Sequence, residues 1–149
     1  MAIVVQQRIE ASRERVWAII SDHRHWAEVI SGIQKVEVLD PGAEDLLGFR
    51  WRETRVMFGK EAVETMWITA AEPGRWYETT AHNHGMIYTT RMAIDGADAG
   101  PVELSMQFSA QATTLMARLM MPLAWLFNGA VRKALQQDLR DIQVAAEAR

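Results

Sequence analysis

Residues 113–147, TTLMARLMMPLAWLFNGAVRKALQQDLRDIQVAAE, decide the fold, because no other run of the chain keeps a helical period long enough for a major helix. Apolar side chains recur there every three or four positions, as one helical face requires. They are Met116, Leu119, Met120, Leu123, Phe127, Val131, Leu135, Leu139, Ile142 and Ala146. From Arg132 onward the opposite side, which includes Asp138, is polar, so this half predicts an amphipathic helix. Pro122 and Gly129 predict a kink or break in the first half, since proline removes a backbone donor and glycine weakens a helix interior.

The segment 119–127, LMMPLAWLF, is apolar on nearly every side and allows three interpretations. We favour a helix half enclosed by a sheet, with some side chains facing a pocket. The second interpretation is a membrane-seated segment. A spanning helix needs about 20 apolar residues, whereas the run 115–131 is shorter and contains Arg118 and Asn128, so membrane contact is not expected. The third is an exposed patch that forms a homodimer interface or the mouth of a pocket.

The composition excludes several classes of protein. A length of 149 residues suits one domain with a single sizeable core. Sixteen Lys and Arg against nineteen Asp and Glu give a net charge of -3, without the basic footprint that nucleic-acid binding requires. The absence of Cys excludes disulfides, thiolate metal sites and a Cys nucleophile, and with no apparent signal peptide it predicts a cytoplasmic protein. Nine Met and six Trp are side chains that line adaptable apolar cavities.

Before residue 113 the apolar pattern changes to period two, which is typical of strands. Residues 3–10 predict a first strand, followed by short helices over residues 12–22, with Ser12 as N-cap, and over residues 24–30. Six more strands follow, the first of which begins at Ile33. The turn signals that separate them are Asp40-Pro41-Gly42, Gly59-Lys60, Pro73-Gly74, Gly85 and Asp95-Gly96. Hairpin turns make the sheet antiparallel and the terminal helix is its natural cover, so we predict one α+β domain over residues 1–149.

The alternation also assigns the inner face of the sheet on most strands. On the strand that begins near Leu47, the more apolar side consists of Phe49, Trp51, Glu53, Arg55 and Met57. On the last strand it consists of Val102, Leu104, Met106, Phe108 and Ala110. On residues 61–71 the face is ambiguous, because Glu64, Met66 and Ile68 compete with Val63, Thr65 and Trp67.

Several short motifs carry a resemblance to a known superfamily. They are Ala11-Ser12 with Val16-Trp17, Asp22, Trp26, Gly32-Ile33, the segment LGFRWRE at 47–53, Glu72-Pro73-Gly74 and residues 139–147. The chain resembles the START-like or SRPBCC proteins with the helix-grip (Bet v 1-like) fold, and among them the polyketide cyclase/dehydrase-like group. The resemblance implies a seven-stranded antiparallel sheet curved around the C-terminal helix, with a cavity between them. Members bind or convert very different apolar molecules, so the resemblance specifies the fold and leaves the activity open.

A cavity under a curved sheet is a ligand site by default. The candidates for its wall are Trp51, Met57, Met66, Trp76, Tyr88, Thr90, Met92, Met106, Phe108, Leu119, Leu123 and Phe127. Ordinary core packing is the alternative for each of them.

Four residues are candidates for chemistry. Glu53 and Arg55 point the same way on one strand, so Arg55 is a candidate to hold a ligand carboxylate or enolate and Glu53 to act as general base. A structural ion pair is the alternative. His82, with Tyr88 or Thr90, is a candidate proton-transfer group. The spacing His82-x-His84 has no nearby carboxylate or Cys, so we predict no metal site.

Three functions follow from this pattern. The first is binding of a small hydrophobic molecule, aromatic or polyketide-like, without a bound cofactor. The second is a cofactor-independent cyclase, dehydratase or aromatase that uses Glu53, Arg55, His82 and Tyr88 in acid-base chemistry. The third is lipid binding or transfer through the apolar half of the long helix.

Overall fold

The computed structural model describes residues 2–57 and 59–148, with Met57 and Trp125 described by their backbone alone. β1 (Ala2–Ile9) leads to α1 (Arg13–Ile20), a 3-10 turn (His23–His25) and α2 (Trp26–Val29). The next six strands are β2 (Ile33–Asp40), β3 (Arg50–Met57), β4 (Lys60–Glu72), β5 (Trp76–Asn83), β6 (Met86–Gly96) and β7 (Val102–Ala112). The last elements are α3 (Leu115–Ala124), a 3-10 turn (Trp125–Phe127) and α4 (Asn128–Glu147).

The strands form one antiparallel sheet in the order β1-β7-β6-β5-β4-β3-β2. From β2 to β7, strands that follow each other in sequence are paired, and β1 pairs with β7 along its whole length, from Ala2↔Ser109 to Ile9↔Val102. Register shifts in the β2–β3 and β4–β5 pairs add to the bending of the sheet. α4 packs beside β1 and α1. The predicted α+β helix-grip fold, with two short helical segments between the first two strands, is confirmed.

The strand faces follow the alternation in the sequence. On β3, Trp51 and Glu53 are buried while Arg52 is exposed, as predicted. The ambiguity of β4 is resolved in favour of its Met66 side, because Ile68 is buried and Val63 is exposed. Glu64, which shares the face of Ile68, therefore points inward with it.

The tightly packed core lies around β1, β7, α1 and the second half of α4. Its fully buried side chains include Ile3, Ile9, Val16, Ile20, Leu104, Leu139 and Ile142. Ser12 caps α1 as predicted, since its Oγ accepts a hydrogen bond from the backbone N–H of Arg15 at 3.2 Å. The side chain of Arg15 in turn donates to the carbonyl oxygen of Ala146 at 2.7 Å, which ties α1 to the C-terminal end of α4.

The predicted long helix is divided in two. Pro122 lies within α3, and the helix gives way to a 3-10 turn after Ala124, between Pro122 and Gly129. Ala117 is the one buried residue of α3 among those described. One side of α3 lies over a cavity instead of over packed side chains, as in the interpretation of a half-enclosed helix that faces a pocket.

Candidate functional site

A cavity of about 690 Å³ lies between the inner face of the sheet and the helices α3 and α4. The strands contribute apolar side chains that include Trp51, Met66, Met92, Met106 and Phe108. The helices contribute Met116, Met120, Met121, Phe127, Val131 and Leu135. The inner face that the alternation assigned to β3 and β7 is therefore part of the sheet side of this cavity.

An ion cluster joins the sheet to α4 at the cavity wall. Arg55 donates from Nη1 to both carboxylate oxygens of Asp138, at 3.1 and 2.9 Å, and from Nε to Glu53 Oε2 at 3.2 Å. Glu53 Oε1 accepts a hydrogen bond from Trp51 Nε1 at 3.3 Å. Both oxygens of Glu53 are thus engaged, and the guanidinium is shared between two buried carboxylates.

Burial shapes the protonation of this cluster. It raises the pKa of Asp138 to about 6, and the charge of Arg55 opposes that shift only in part. Burial alone would lower the pKa of Arg55, but the carboxylates of Asp138 and Glu53 outweigh it, so the pKa of Arg55 rises. Arg55 therefore stays charged, while Asp138 exchanges its proton close to neutral pH.

A second pair of polar groups faces the cavity without a cation of its own. Glu64 lies directly opposite Glu53 in the β3–β4 pair. Burial, followed by the charge of Glu53, raises the pKa of Glu64, and the charge of Arg55 and a hydrogen bond from Asn83 oppose this rise in part. Burial and the charge of Glu64 raise the pKa of Tyr88, whose ring stacks on Phe108 with centroids 5.6 Å apart. A carboxyl group that binds a proton more readily than usual and a phenol are the types of group that acid-base catalysis uses.

A buried histidine supports the aromatic part of the wall. The ring of His23 is 1% exposed, and its centroid lies 4.3 Å from that of Trp26 and 4.4 Å from that of Trp51. Within the described part of the chain, neither ring nitrogen has a partner in good hydrogen-bond geometry, and the backbone of Ser21, which acts to raise the pKa of the ring, is outweighed by burial. Burial lowers the pKa of His23 to about 3, so the ring is neutral. His23 is a packing residue behind Trp26 and Trp51, both of which line the cavity.

The family model for polyketide cyclase/dehydrase and lipid transport proteins matches residues 1–146. The chain belongs to this family. The predicted resemblance to the polyketide cyclase/dehydrase-like group is thereby confirmed. No curated protein sequence matches the chain.

Several solved structures of other proteins share the fold of this polyketide cyclase/dehydrase family member at low sequence identity. The protein TTHA0849 from Thermus thermophilus has a TM-score of 0.75 at 14% identity, over 99% of this chain and 100% of that one. The Zhui aromatase/cyclase from Streptomyces sp. R1128 has a TM-score of 0.75 at 16% identity, over 99% and 93%. A START superfamily protein from Mycobacterium smegmatis has a TM-score of 0.65 at 16% identity, over 91% and 94%. At these identities the likeness shows the fold alone.

Most of the residues predicted for the site of this family member line one cavity. They are Trp51, Glu53, Arg55, Met66, Tyr88, Thr90, Met92, Met106, Phe108 and Phe127. The side chain of Met57 lies outside the described residues.

The prediction that Trp76 and His82 face the cavity is wrong. β5 turns Tyr77, Thr79 and Ala81 inward, so its other residues lie on the outer face of the sheet. There Trp76 Nε1 donates to Glu72 at 2.9 Å, and the exposed ring of His82 packs against Trp67, with centroids 5.1 Å apart. Aromatic side chains occur on both faces of β5, so hydrophobicity did not distinguish them.

The prediction for Leu119 and Leu123 is also wrong, because both are exposed on the side of α3 that faces away from the cavity. Helical spacing places them a turn apart on one face, whereas Ala117 and Ala124 line the cavity from the other.

Sequence reasoning missed Glu64 and Asp138 as site residues. Asp138 was assigned to the polar side of the last helix, yet it follows Leu135 by three positions and precedes Ile142 by four, which is the spacing of the buried face. Glu64 shares its face of β4 with Met66 and Ile68. Assigning either of these residues to the inner face of the sheet would therefore have placed Glu64 there as well.

The two histidines of the His82-x-His84 motif are separated, since His84 lines the cavity and His82 lies on the outer face. Over residues 2–57 and 59–148, no three metal-ligating side chains come together in a group that could hold a metal ion. In the same ranges, none of the helices has the length and apolar character needed to cross a bilayer.

Proposed function

We propose that this protein binds a small hydrophobic molecule in the cavity between its sheet and the helices α3 and α4. The observation that carries the proposal is the cavity itself. Its volume of about 690 Å³ falls within the range of roughly 300–1,000 Å³ that is typical of small-molecule sites. Its lining is mainly apolar with a few polar groups on one wall, which is the usual arrangement for holding an apolar body and orienting one polar end.

The ion cluster supports a ligand whose polar end donates hydrogen bonds. Arg55 is already paired with Glu53 and Asp138, and Glu64 adds a third carboxyl group to the same wall. This wall offers more acceptors than positive charge, so a hydroxyl or amine suits it better than a carboxylate. We therefore assign Arg55 to positioning the cluster, in place of the anion-binding role that the sequence suggested.

Titration with N-phenyl-1-naphthylamine, a neutral apolar fluorescent probe, tests the cavity directly. We expect saturable binding to the wild type and at least a tenfold weaker affinity in Ala134→Phe, because Ala134 lines the cavity and the larger ring would fill part of it. Ala130→Phe, on an exposed position of the same helix, is the matched control and should bind as the wild type does. Equal affinities for all three proteins would refute the site. Native mass spectrometry of protein purified from its own host would then identify a co-purified molecule.

The second candidate function is a cyclase, dehydratase or aromatase that works by acid-base chemistry. It is favoured by Glu64 and Tyr88 together in the cavity, both with raised pKa values, and by the family, whose description includes cyclases and dehydrases. Glu64 is the better candidate for the base than Glu53, whose two oxygens are engaged by Trp51 and Arg55. Tyr88 would donate a proton to a developing enolate or alkoxide.

A poly-β-keto thioester is a suitable probe for this activity. If the protein is an enzyme of this class, Glu64→Gln should abolish cyclisation or dehydration while N-phenyl-1-naphthylamine still binds. Turnover that survives in Glu64→Gln would remove Glu64 from the mechanism. Absence of turnover in the wild type, together with probe binding, would leave the binding function alone. The family description also includes lipid transport, and the same cavity suits an acyl chain. The lack of cysteine supports a cytoplasmic location for each of these functions.

A further inference from the structure

α3 and the turn after it carry apolar side chains on two opposite sides. One side faces the cavity with Ala117, Met120, Met121 and Ala124. Four leucines lie on the other side, Leu115, Leu119, Leu123 and Leu126, and they are between 51% and 77% exposed. Their spacing of four, four and three residues makes them one continuous row, which we name the leucine stripe. Exposed apolar rows of this kind mark contact surfaces.

The charged residues in the segment that contains the leucine stripe are all basic. From Leu104 to Gln137 the sequence contains no Asp or Glu, although the whole chain has a net charge of -3. The charged residues in that range are Arg118, Arg132 and Lys133, and all three are exposed. Arg118 lies within α3 itself, next to Leu119.

We propose that the leucine stripe seats the protein on the surface of an anionic lipid bilayer. Leucines on one side of a helix enter the boundary between headgroups and acyl chains, while the neighbouring Arg118 contacts the anionic headgroups. A second copy of this chain is a poorer occupant. Two stripes in contact would bring Arg118 of one copy near Arg118 of the other, without a carboxylate from residues 104–137 between them.

This surface goes beyond the proposed function, since it lies on the outer side of α3 and requires no ligand. It also revises the expectation from the sequence, which considered the length needed to span a bilayer. A helix that lies in the interface needs no such length. Met116 and Met120 line the cavity and yet are 69% and 49% exposed, so the cavity opens beside the leucine stripe. Docking would therefore place this opening at the lipid surface.

Co-flotation of the full chain with vesicles tests the proposal. Vesicles of phosphatidylcholine are compared with vesicles that also contain phosphatidylglycerol, at low and at high salt. We expect binding to the anionic vesicles that weakens at high salt. The double variant Leu119→Gln/Leu123→Gln should lower the partition coefficient by about tenfold or more, and Arg118→Gln should lower it by about fivefold.

Two matched variants control for changes elsewhere on the surface. Val144→Gln removes an apolar side chain that is 70% exposed on α4, and Arg140→Gln removes an exposed charge from the same helix. Both should bind vesicles as the wild type does. All variants change exposed positions, so their urea midpoints should match the wild type.

Three results would overturn the proposal. They are equal binding to neutral and anionic vesicles, no binding of the wild type to either, and no loss in the double leucine variant. Analytical ultracentrifugation addresses the alternative occupant, because a wild-type dimer that becomes monomeric in Leu119→Gln/Leu123→Gln would assign the leucine stripe to a second copy. Titration with N-phenyl-1-naphthylamine on the same samples separates the two proposals, since loss of vesicle binding with intact probe binding concerns the leucine stripe alone.

Discussion

His23 should make the protein sensitive to acid, and replacing it with phenylalanine should remove that sensitivity. Burial lowers the pKa of His23 from 6.5 to about 3. Between these values the unfolded chain binds a proton that the folded chain does not, so stability falls as the pH falls below 6.5. Each pH unit corresponds to about 1.4 kcal/mol, which gives a loss of about 2 kcal/mol at pH 5 and about 5 kcal/mol by pH 3.

Urea unfolding followed by circular dichroism, from about pH 7.5 down to pH 5, measures this loss. His23→Phe keeps an aromatic ring between Trp26 and Trp51 and has no proton to bind. As the pH falls over that interval, the free energy of unfolding of His23→Phe should therefore increase by about 2 kcal/mol relative to that of the wild type. His23→Gln separates ionisation from packing. It should be less stable than His23→Phe at every pH, because it lacks the aromatic ring, but its stability should vary with pH in the same way as that of His23→Phe. Parallel loss of stability in the wild type and in His23→Phe would refute the reasoning.

Asp138 should act in the opposite sense, because burial raises its pKa from 3.8 to about 6 and the folded chain keeps a proton that the unfolded chain has released. As the pH rises from about 4 to about 7, urea unfolding should show Asp138→Asn gaining up to about 3 kcal/mol relative to the wild type, and a constant difference would contradict the shift. Arg55→Met leaves Glu53 and Asp138 buried without their shared cation, so at neutral pH its free energy of unfolding should fall by about 3–5 kcal/mol. A loss below about 1 kcal/mol, as for a surface ion pair, would show that the cluster is solvated.

The sheet was predictable because strand alternation and hairpin turns are local signals. Trp51, Met92 and Met106 lie on the face that period two assigned to them, and Glu53 and Arg55 follow from the same alternation. Alternation did not identify the inner face of β5, where Trp76 and Tyr77 are adjacent aromatic residues and only Tyr77 points inward. Hydrophobicity cannot choose between faces that are equally aromatic.

The helices show a different limit. Helical spacing identified which residues share a face of α3, but not whether that face meets a partner, and Leu119 and Leu123 remained exposed. The polar character of Asp138 hid its buried position, although its distance from Leu135 and Ile142 indicated it. The burial of a charged residue can be predicted only when its partner is known. The partner of Asp138 is Arg55, which is 83 residues away in the chain.

The cavity and the packed core occupy different parts of the same helix layer, and the boundary between them lies within α4, near Asp138. In the second half of α4, Leu139 and Ile142 fill the space against β1 and α1, so this half stabilises the fold. In α3, small residues such as Ala117 and Ala124 face the sheet, and they cannot fill the space that Leu or Ile would. The ion pair between Arg55 and Asp138 lies at the boundary, where it anchors α4 to β3 and leaves the space under α3 open. The space for the proposed ligand thus lies under the part of the helix layer that contributes least to the core.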